Sequence, residues 1–186
     1  MIILETERLI LRTWELTDVE EGYAIWGDKE VMRYFPDATI LNREQVLDSI
    51  KRGIDHQMKY GYQHWAVILK AENKLIGACG FNHFEDRSDN GYENLPETIE
   101  MAFHFQKNYW GNGYASEAAE ACVDYALDNF SVKRIVAGVN KQNVRSVRIL
   151  EKLNFIYLGL MYFEDNQSFE PMFERWLLRD DAEKIS

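Results

Sequence analysis

Two cysteines in 186 residues, no apolar run near the ~20 residues that a membrane-spanning helix needs, and no excess of basic residues set the first limits on this chain. Cys79 and Cys122 fall inside strand and helix patterns, which argues against a disulfide framework and fits a reducing compartment. Cys122 lies on an apolar helix face, where a cysteine acts as a small core residue rather than a nucleophile. The net charge of −10, from 21 Lys and Arg against 31 Asp and Glu, leaves no general positive field of the kind a nucleic-acid binder needs. The first residues read as a strand and not as a signal peptide, so a cytoplasmic location is expected. Linkers, internal repeats and low-complexity segments are also lacking. One domain over residues 1–186 is therefore expected, and with 46% hydrophobic and 13% aromatic residues it has ample material for a core.

Arg8 to Trp14 reads as a strand with Leu9 and Leu11 on one face and Ile10 and Arg12 on the other. Thr17 followed by Glu20 is a capping-box pattern for a helix reaching about Gly27. Asn42 with Gln45 opens a second helix, whose stripe of Val46, Leu47, Ile50, Ile54 and Met58 ends near Gly61. His64 to Leu69 and Lys74 to Phe84 read as a strand hairpin, and the polar stretch from Glu85 to Pro96 reads as a loop. TIEMAFHF from Thr98 to Phe105 alternates as a half-buried strand. After it come a glycine turn, WGNGYA at Trp110 to Ala115, and a helix with Ala115, Ala118, Ala119, Cys122, Val123, Ala126, Leu127 and Phe130 on one face. Arg134 to Val139 is a strand, Asn143 to Leu153 a helix, and Phe155 to Phe163 and Met172 to Leu178 close the chain as strands. A crossover helix between two strands of one sheet implies that they run parallel, so a mixed α/β sheet is expected.

The stretch from Thr98 to Phe155 carries the chemistry. A glycine turn between strand and helix can bring several main-chain N–H groups against an anion, beside a helix N-terminus of partial positive charge. Gly-x-Gly alone is common, and the third glycine of the dinucleotide fingerprint is missing, as is an acid at the end of the next strand, so a nucleotide-dependent oxidoreductase fits poorly. Lys133, Arg134, Lys141, Arg145, Arg148 and Lys152 stand against the single acid Glu151 between Ser131 and Phe155. Some of these cations can meet a ligand phosphate, although a solvated helix face is the better description of any one of them alone.

The order strand, WGNGYASEA, helix, strand, N-x-x-S-x-x-x-L-E-K-L-N-F resembles the acetyl-CoA-binding half of the GNAT superfamily of N-acetyltransferases. The opening ETERLILRTWELTD resembles its RimJ/RimL branch, which acetylates protein N-termini, and the resemblance runs from about Glu5 to near Leu178. It implies an α+β fold: a mixed, mostly antiparallel sheet with flanking helices, in which the parallel strands splay apart to admit a pantetheine arm. It implies acetyl-CoA as co-substrate, no metal, and an amine-bearing partner such as a protein N-terminus; a homodimer stays open. The family's pyrophosphate loop falls on Trp110, Gly111, Asn112, Gly113, Tyr114 and Ala115, with Trp110 in place of the usual Gln or Arg, so the main chain is expected to hold the phosphates. Phe103 and Phe105 fall where main-chain groups pair with pantetheine. Asn143 falls where an asparagine orients the cofactor, or is simply an N-cap. Leu150 stands where many relatives carry a tyrosine that protonates the leaving thiolate, which leaves the general acid unassigned.

Acyl transfer to an amine needs a bound donor, a neutral amine, a stabilised oxyanion and a proton acceptor. Glu100 is the candidate base, sharing its strand face with Ala102 and His104; pairing with a cation or orienting substrate is the competing role. His64, His83 and His104 are further candidates. Trp26, Tyr34, Phe35, Trp65, Phe81 and Asn82 are candidates for the acceptor pocket, with the loop from Phe81 to Pro96, although aromatics this numerous are first of all core. The leading expectation is an acetyl-CoA-dependent N-acetyltransferase acting by direct attack in a ternary complex. The alternatives are a polyamine or antibiotic acetyltransferase and a non-catalytic acyl-CoA-binding module.

Overall fold

Leu9 and Leu11 are wholly buried on one side of their strand while Ile10 packs against a separate apolar cluster on the other. A strand covered on both faces requires helices on both sides of its sheet, and the computed structural model, which describes residues 1–35, 39–84, 97–163 and 168–177, shows this layering. The chain runs β1 (Ile2–Glu5), β2 (Leu9–Arg12), α1 (Val19–Trp26), α2 (Lys29–Met32), α3 (Arg43–Tyr60), β3 (His64–Leu69), β4 (Lys74–His83) and β5 (Thr98–Phe105), then α4 (Tyr114–Asn129), β6 (Arg134–Gly138), α5 (Val144–Lys152), β7 (Ile156–Phe163) and β8 (Ser168–Trp176). The expected loop from Glu85 to Pro96 and the expected strand end at Leu178 lie outside the described residues.

The strands form one sheet in the order β1-β2-β3-β4-β5-β6-β8-β7, antiparallel at every contact except β5 with β6. That parallel contact consists of Thr98 with Arg134, Ile99 with Ile135 and Glu100 with Val136. Beyond Glu100 the two strands continue, to Phe105 and to Gly138, without pairing. The sheet therefore opens into a wedge at its centre, which is the splay expected of the parallel pair.

One face is covered by α4 and α5. Ala118, Ala119, Cys122, Val123 and Ala126 of α4 are buried against Ile99, Met101 and Ile135, together with Leu150 of α5 and Leu153 just after it. Small side chains let α4 lie close to the strands and hold its N-terminus firmly beside the wedge. Cys79 and Cys122 meet in this core as buried free thiols, 3.7 Å apart at Sγ. The other face is covered by α1, α2 and α3, through Trp14, Ile25, Trp26, Met32, Val46 and Ile50 against Ala66, Ile68 and Ala78. Full burial of side chains the size of Leu9 or Ile25 contributes about 1.5–3 kcal/mol each.

The expected capping box of α3 is present: Gln45 N–H donates to Asn42 Oδ1 at 3.0 Å and Asn42 N–H to Gln45 Oε1 at 2.8 Å. Gly61 ends that helix with φ +82°, a left-handed conformation that suits glycine. Met58, expected on the apolar stripe, is instead 73% exposed. The inward position after Ile54 falls to Gln57, whose Oε1 accepts the Trp65 indole N–H at 2.9 Å. Thr17 and Glu20 do not form the expected box at α1. Asp18 takes over the helix start, because its carboxylate is held by Arg12 at 2.7 and 2.8 Å and accepts Glu15 N–H at 2.8 Å. The short helix α2, capped by Asp28 through the Glu30 N–H at 2.7 Å, is not signalled by any apolar periodicity.

Candidate active site

Hydrogen-bond alternation along β5 decides what faces the wedge. Gln106 N–H donates to Ile76 O at 2.9 Å, and the register pairs His104 with Ala78, Ala102 with Gly80 and Glu100 with Asn82. In an antiparallel ladder such pairs alternate, so the even residues of β5 spend their main-chain groups on β4. Met101, Phe103 and Phe105 turn theirs the other way, toward a β6 that is no longer there to receive them. A cavity of about 810 Å³ occupies this wedge, with Glu100 to Phe105 on one wall and Ala137 to Asn140 on the other.

At the end of β5 the chain turns through Trp110 to Gly113 into α4. Gly111 and Gly113 both have φ +82°, which only glycine adopts cheaply. A Cβ at Gly111 would meet nothing within 4 Å, and one at Gly113 only Arg8 Nη2 at 3.4 Å, so the turn presents bare main chain to open space ahead of the helix N-terminus. Trp110 is a bracket: its indole N–H donates to Phe105 O at 2.7 Å and its ring packs against both apolar clusters. Thus the carbonyl of Phe105 is already engaged, while its N–H faces the wedge. Asn112 turns away from the cavity; its Nδ2 bonds Tyr109 O at 3.2 Å and its carbonyl accepts Arg8 Nη1 at 2.9 Å.

Arg8, just before β2, locks this turn to α4. Its Nε lies 2.6 Å from Glu117 Oε2, its guanidinium carbon 4.7 Å from the centre of the Tyr114 ring, and Glu117 also accepts the Arg8 N–H at 3.0 Å and the Thr6 hydroxyl. Partial burial raises the Glu117 carboxyl, but the hydrogen bonds from Thr6 and Arg8 outweigh it and hold the group below the usual carboxylate range. No local pattern links residues 109 positions apart, so sequence reasoning missed this clamp.

The remaining wall comes from α2 and the residues just after it, with the ends of β3 and β4. Tyr34, Phe35 and Asn82 border the cavity as expected, joined by Glu30, Arg33 and His64. Trp26 stands behind it, its indole N–H donating to His104 Nδ1 at 2.8 Å. An indole can only donate, so His104 carries its own proton on Nε2. Burial, with a smaller push from neighbouring His64, lowers the His104 imidazole to about 3, and burial with His56 lowers His64 to about 4. With Nδ1 engaged and Nε2 protonated, His104 is a hydrogen-bond donor and not a base. His83 is outside the cavity, stacked on Tyr60 at 4.3 Å and 3.2 Å from the Tyr62 hydroxyl. Trp65 and Phe81, offered as pocket residues, are fully buried in the α4 core instead.

Of the other expected site residues, Glu100, Phe103, Phe105, Trp110, Gly111, Gly113, Tyr114, Ala115 and Asn143 all border the cavity. Asn143 also caps α5, accepting Ser146 N–H at 3.3 Å, so the capping role is real whatever else it does. Leu150 borders the same space and brings no proton. Among the described residues no group of three or more His, Cys, Asp or Glu is placed to hold a metal ion, and no helix is long and apolar enough to cross a membrane.

Residues 8–156 match the family described as acetyltransferase (GNAT) domain. An uncharacterized N-acetyltransferase, p20 of Bacillus licheniformis, is 32% identical over 161 residues, covering 87% of this chain and 86% of that protein. A GNAT-family acetyltransferase from Bacillus anthracis superposes with a TM-score of 0.75 at 26% identity, over 94% of this chain and 96% of that one. RimL, a ribosomal alpha-N-protein acetyltransferase solved in complex with coenzyme A, shares the fold with a TM-score of 0.77 at 16% identity, over 95% and 98% of the two chains. With the strand order, the wedge and the turn of Gly111 and Gly113 before α4, these matches establish that the chain belongs to the GNAT family of acetyltransferases and is an N-acetyltransferase.

Proposed function

We propose that the enzyme uses acetyl-CoA as donor and a primary amine as acceptor, the amine attacking the thioester directly while both are bound. The observation that carries this reading is the parting of β5 and β6 after Glu100, which leaves the main-chain groups of Met101 and Phe103 facing a cavity that ends at a bare glycine turn. The residues present fit coenzyme A. An extended pantetheine arm can take the place of the missing strand rungs, and the N–H groups after Gly111 can meet a diphosphate at the α4 N-terminus. Acetyl-CoA, when bound, supplies an acyl group already activated as a thioester.

The chain's own residues would then divide the work. Met101 and Phe103 orient the arm through their main chain, and an N–H of this strand meets the negative charge that develops on the carbonyl oxygen. Glu100, on the cavity wall at the apex of the wedge, is the group we assign to take the proton from the acceptor ammonium. Tyr34 and Phe35 give the acceptor an apolar seat, and the Glu100 carboxylate on the same cavity suits a cationic acceptor, while Glu30 is taken up by Arg33 and Lys107. A protein or peptide N-terminus, the acceptor class of the RimL fold relative, fits such a wall.

The test is calorimetry with coenzyme A, followed by mass spectrometry of peptides, polyamines and aminoglycosides after incubation with acetyl-CoA. Donor binding with acetylated peptide N-termini is the expected result. Acetylated polyamines or aminoglycosides alone would move the acceptor to small amines, and no donor binding would overturn the reading. Glu100→Gln should lower turnover at neutral pH at least tenfold with donor affinity nearly unchanged, as expected when a general base is lost; a wild-type rate removes Glu100 from the reaction.

A further inference from the structure

Six cations lie between Lys133 and Lys152 in a chain of net charge −10, and the structure divides them. Lys133 is paired with Glu97 at 2.7 Å, and Arg134 is buried against Glu174 at 3.0 Å. Arg145 and Arg148, three apart on α5 and so on one side of it, border the central cavity, and among the described residues neither forms an ion pair. The guanidinium carbon of Arg145 lies 5.4 Å from the centre of the Trp110 ring, which places it next to the glycine turn. Arg33 reaches the same ring from α2 at 6.0 Å but is joined to Glu30 at 3.3 Å. The other carboxylate on this part of the wall, Glu170, accepts Asn140 Nδ2 at 3.3 Å and Lys141 N–H at 3.0 Å.

Arg145 beside the glycine turn and Arg148 one helical turn further along the same cavity wall, neither in an ion pair among the described residues, exceed what a diphosphate at that turn would require. The main-chain N–H groups of the turn and the first turn of α4 suffice for a diphosphate. A phosphomonoester, with a second ionisation near ~6, carries close to two negative charges at neutral pH and is matched by paired guanidiniums. Coenzyme A has one such group, on its ribose 3′ oxygen.

We infer that Arg145 and Arg148 form a phosphomonoester subsite that takes the ribose 3′-phosphate of the donor, so that the enzyme selects coenzyme A thioesters over carriers lacking that phosphate. The inference rests on the acyl-CoA reading of the wedge and adds donor selection to it. Arg145 is held over Trp110, the residue that replaces the usual polar side chain of the loop, so the charge the turn gives up at position 110 is returned from α5.

The experiment measures Kd by calorimetry for coenzyme A and for 3′-dephospho-coenzyme A. The proteins are the wild-type, the double variant Arg145→Gln/Arg148→Gln and the charge-retaining Arg145→Lys/Arg148→Lys. Both arginines are exposed and glutamine keeps helix propensity, so the fold is retained, as circular dichroism will show. The wild-type should prefer coenzyme A by at least tenfold, a preference that falls with rising salt. The glutamine variant should lose it by weakening coenzyme A alone, and the lysine variant should recover part of it. Equal binding of the two ligands by the wild-type, or equal weakening of both in the glutamine variant, overturns the subsite and leaves the donor reading intact. Binding of neither ligand overturns the donor reading itself.

Discussion

Gly113 does two jobs that no other residue can combine. Its φ of +82° starts α4, and its missing side chain keeps the approach to the first N–H groups open. Gly113→Asp would strain the backbone by about 1–2 kcal/mol and set a carboxylate beside Arg8 at the α4 N-terminus, where it opposes binding of an anion. Coenzyme A affinity should fall by roughly two orders of magnitude or more by calorimetry, a loss of about 3 kcal/mol; unchanged affinity would remove the turn from the binding site. His64 and His104 give a prediction of opposite origin. In the unfolded chain they take up protons near 6.5, whereas burial delays this to about 4 and about 3 in the folded one. Between these values the unfolded state holds the extra protons, so their contribution is complete above about 6.5 and is lost as pH falls to about 4 for His64 and about 3 for His104. Urea unfolding at about pH 7 and about pH 5 should show this loss, and His104→Gln should make the slope shallower; an unaltered slope would place the pH sensitivity elsewhere. Glu100 and the glycine turn were readable because strand alternation and Gly-x-Gly are local patterns. The tautomer of His104 was not, since it depends on Trp26, 78 residues away.

The helix N-termini do not all rest on one device: α2, α3 and α5 have side-chain caps, α1 and α4 do not, and only local devices are legible in the sequence. Asn42 and Gln45 can be read directly; Asn42→Ala should cost about 1 kcal/mol in chemical denaturation without altering donor affinity. At α1 the same kind of pattern misleads, because Arg12 captures Asp18 from a neighbouring strand and the helix begins where that ion pair sets it. For α4 there is no side-chain cap at all; Gly113 precedes it and the Arg8–Glu117 clamp holds it from outside. Glu117→Gln keeps the shape but removes the charge facing Arg8. It should cost about 1 kcal/mol, given the partial exposure of the pair, and should weaken coenzyme A binding less than Gly113→Asp. A stronger effect on affinity than Gly113→Asp would mean that the clamp, and not the turn, dominates the site.

Across the whole molecule, the order of strands and helices, α2 apart, was legible because the apolar period switches between two and 3.6 along the chain. The parallel pair followed from the crossover alone. The extent of pairing between β5 and β6 did not, since three rungs or all five that β6 could supply are equally compatible with their sequences; the wedge was an expectation drawn from family likeness. Composition likewise gave the net charge but not its placement, which leaves Arg145 and Arg148 without an ion pair among the described residues of an acidic protein. The bracket at Trp110 touches both cores, the carbonyl of Phe105 and two guanidiniums at once. An indole so placed is a built-in optical reporter: anything that settles into the cleft and draws Arg145 away alters the emission of one of the five tryptophans, so occupancy can be followed by fluorescence without a label.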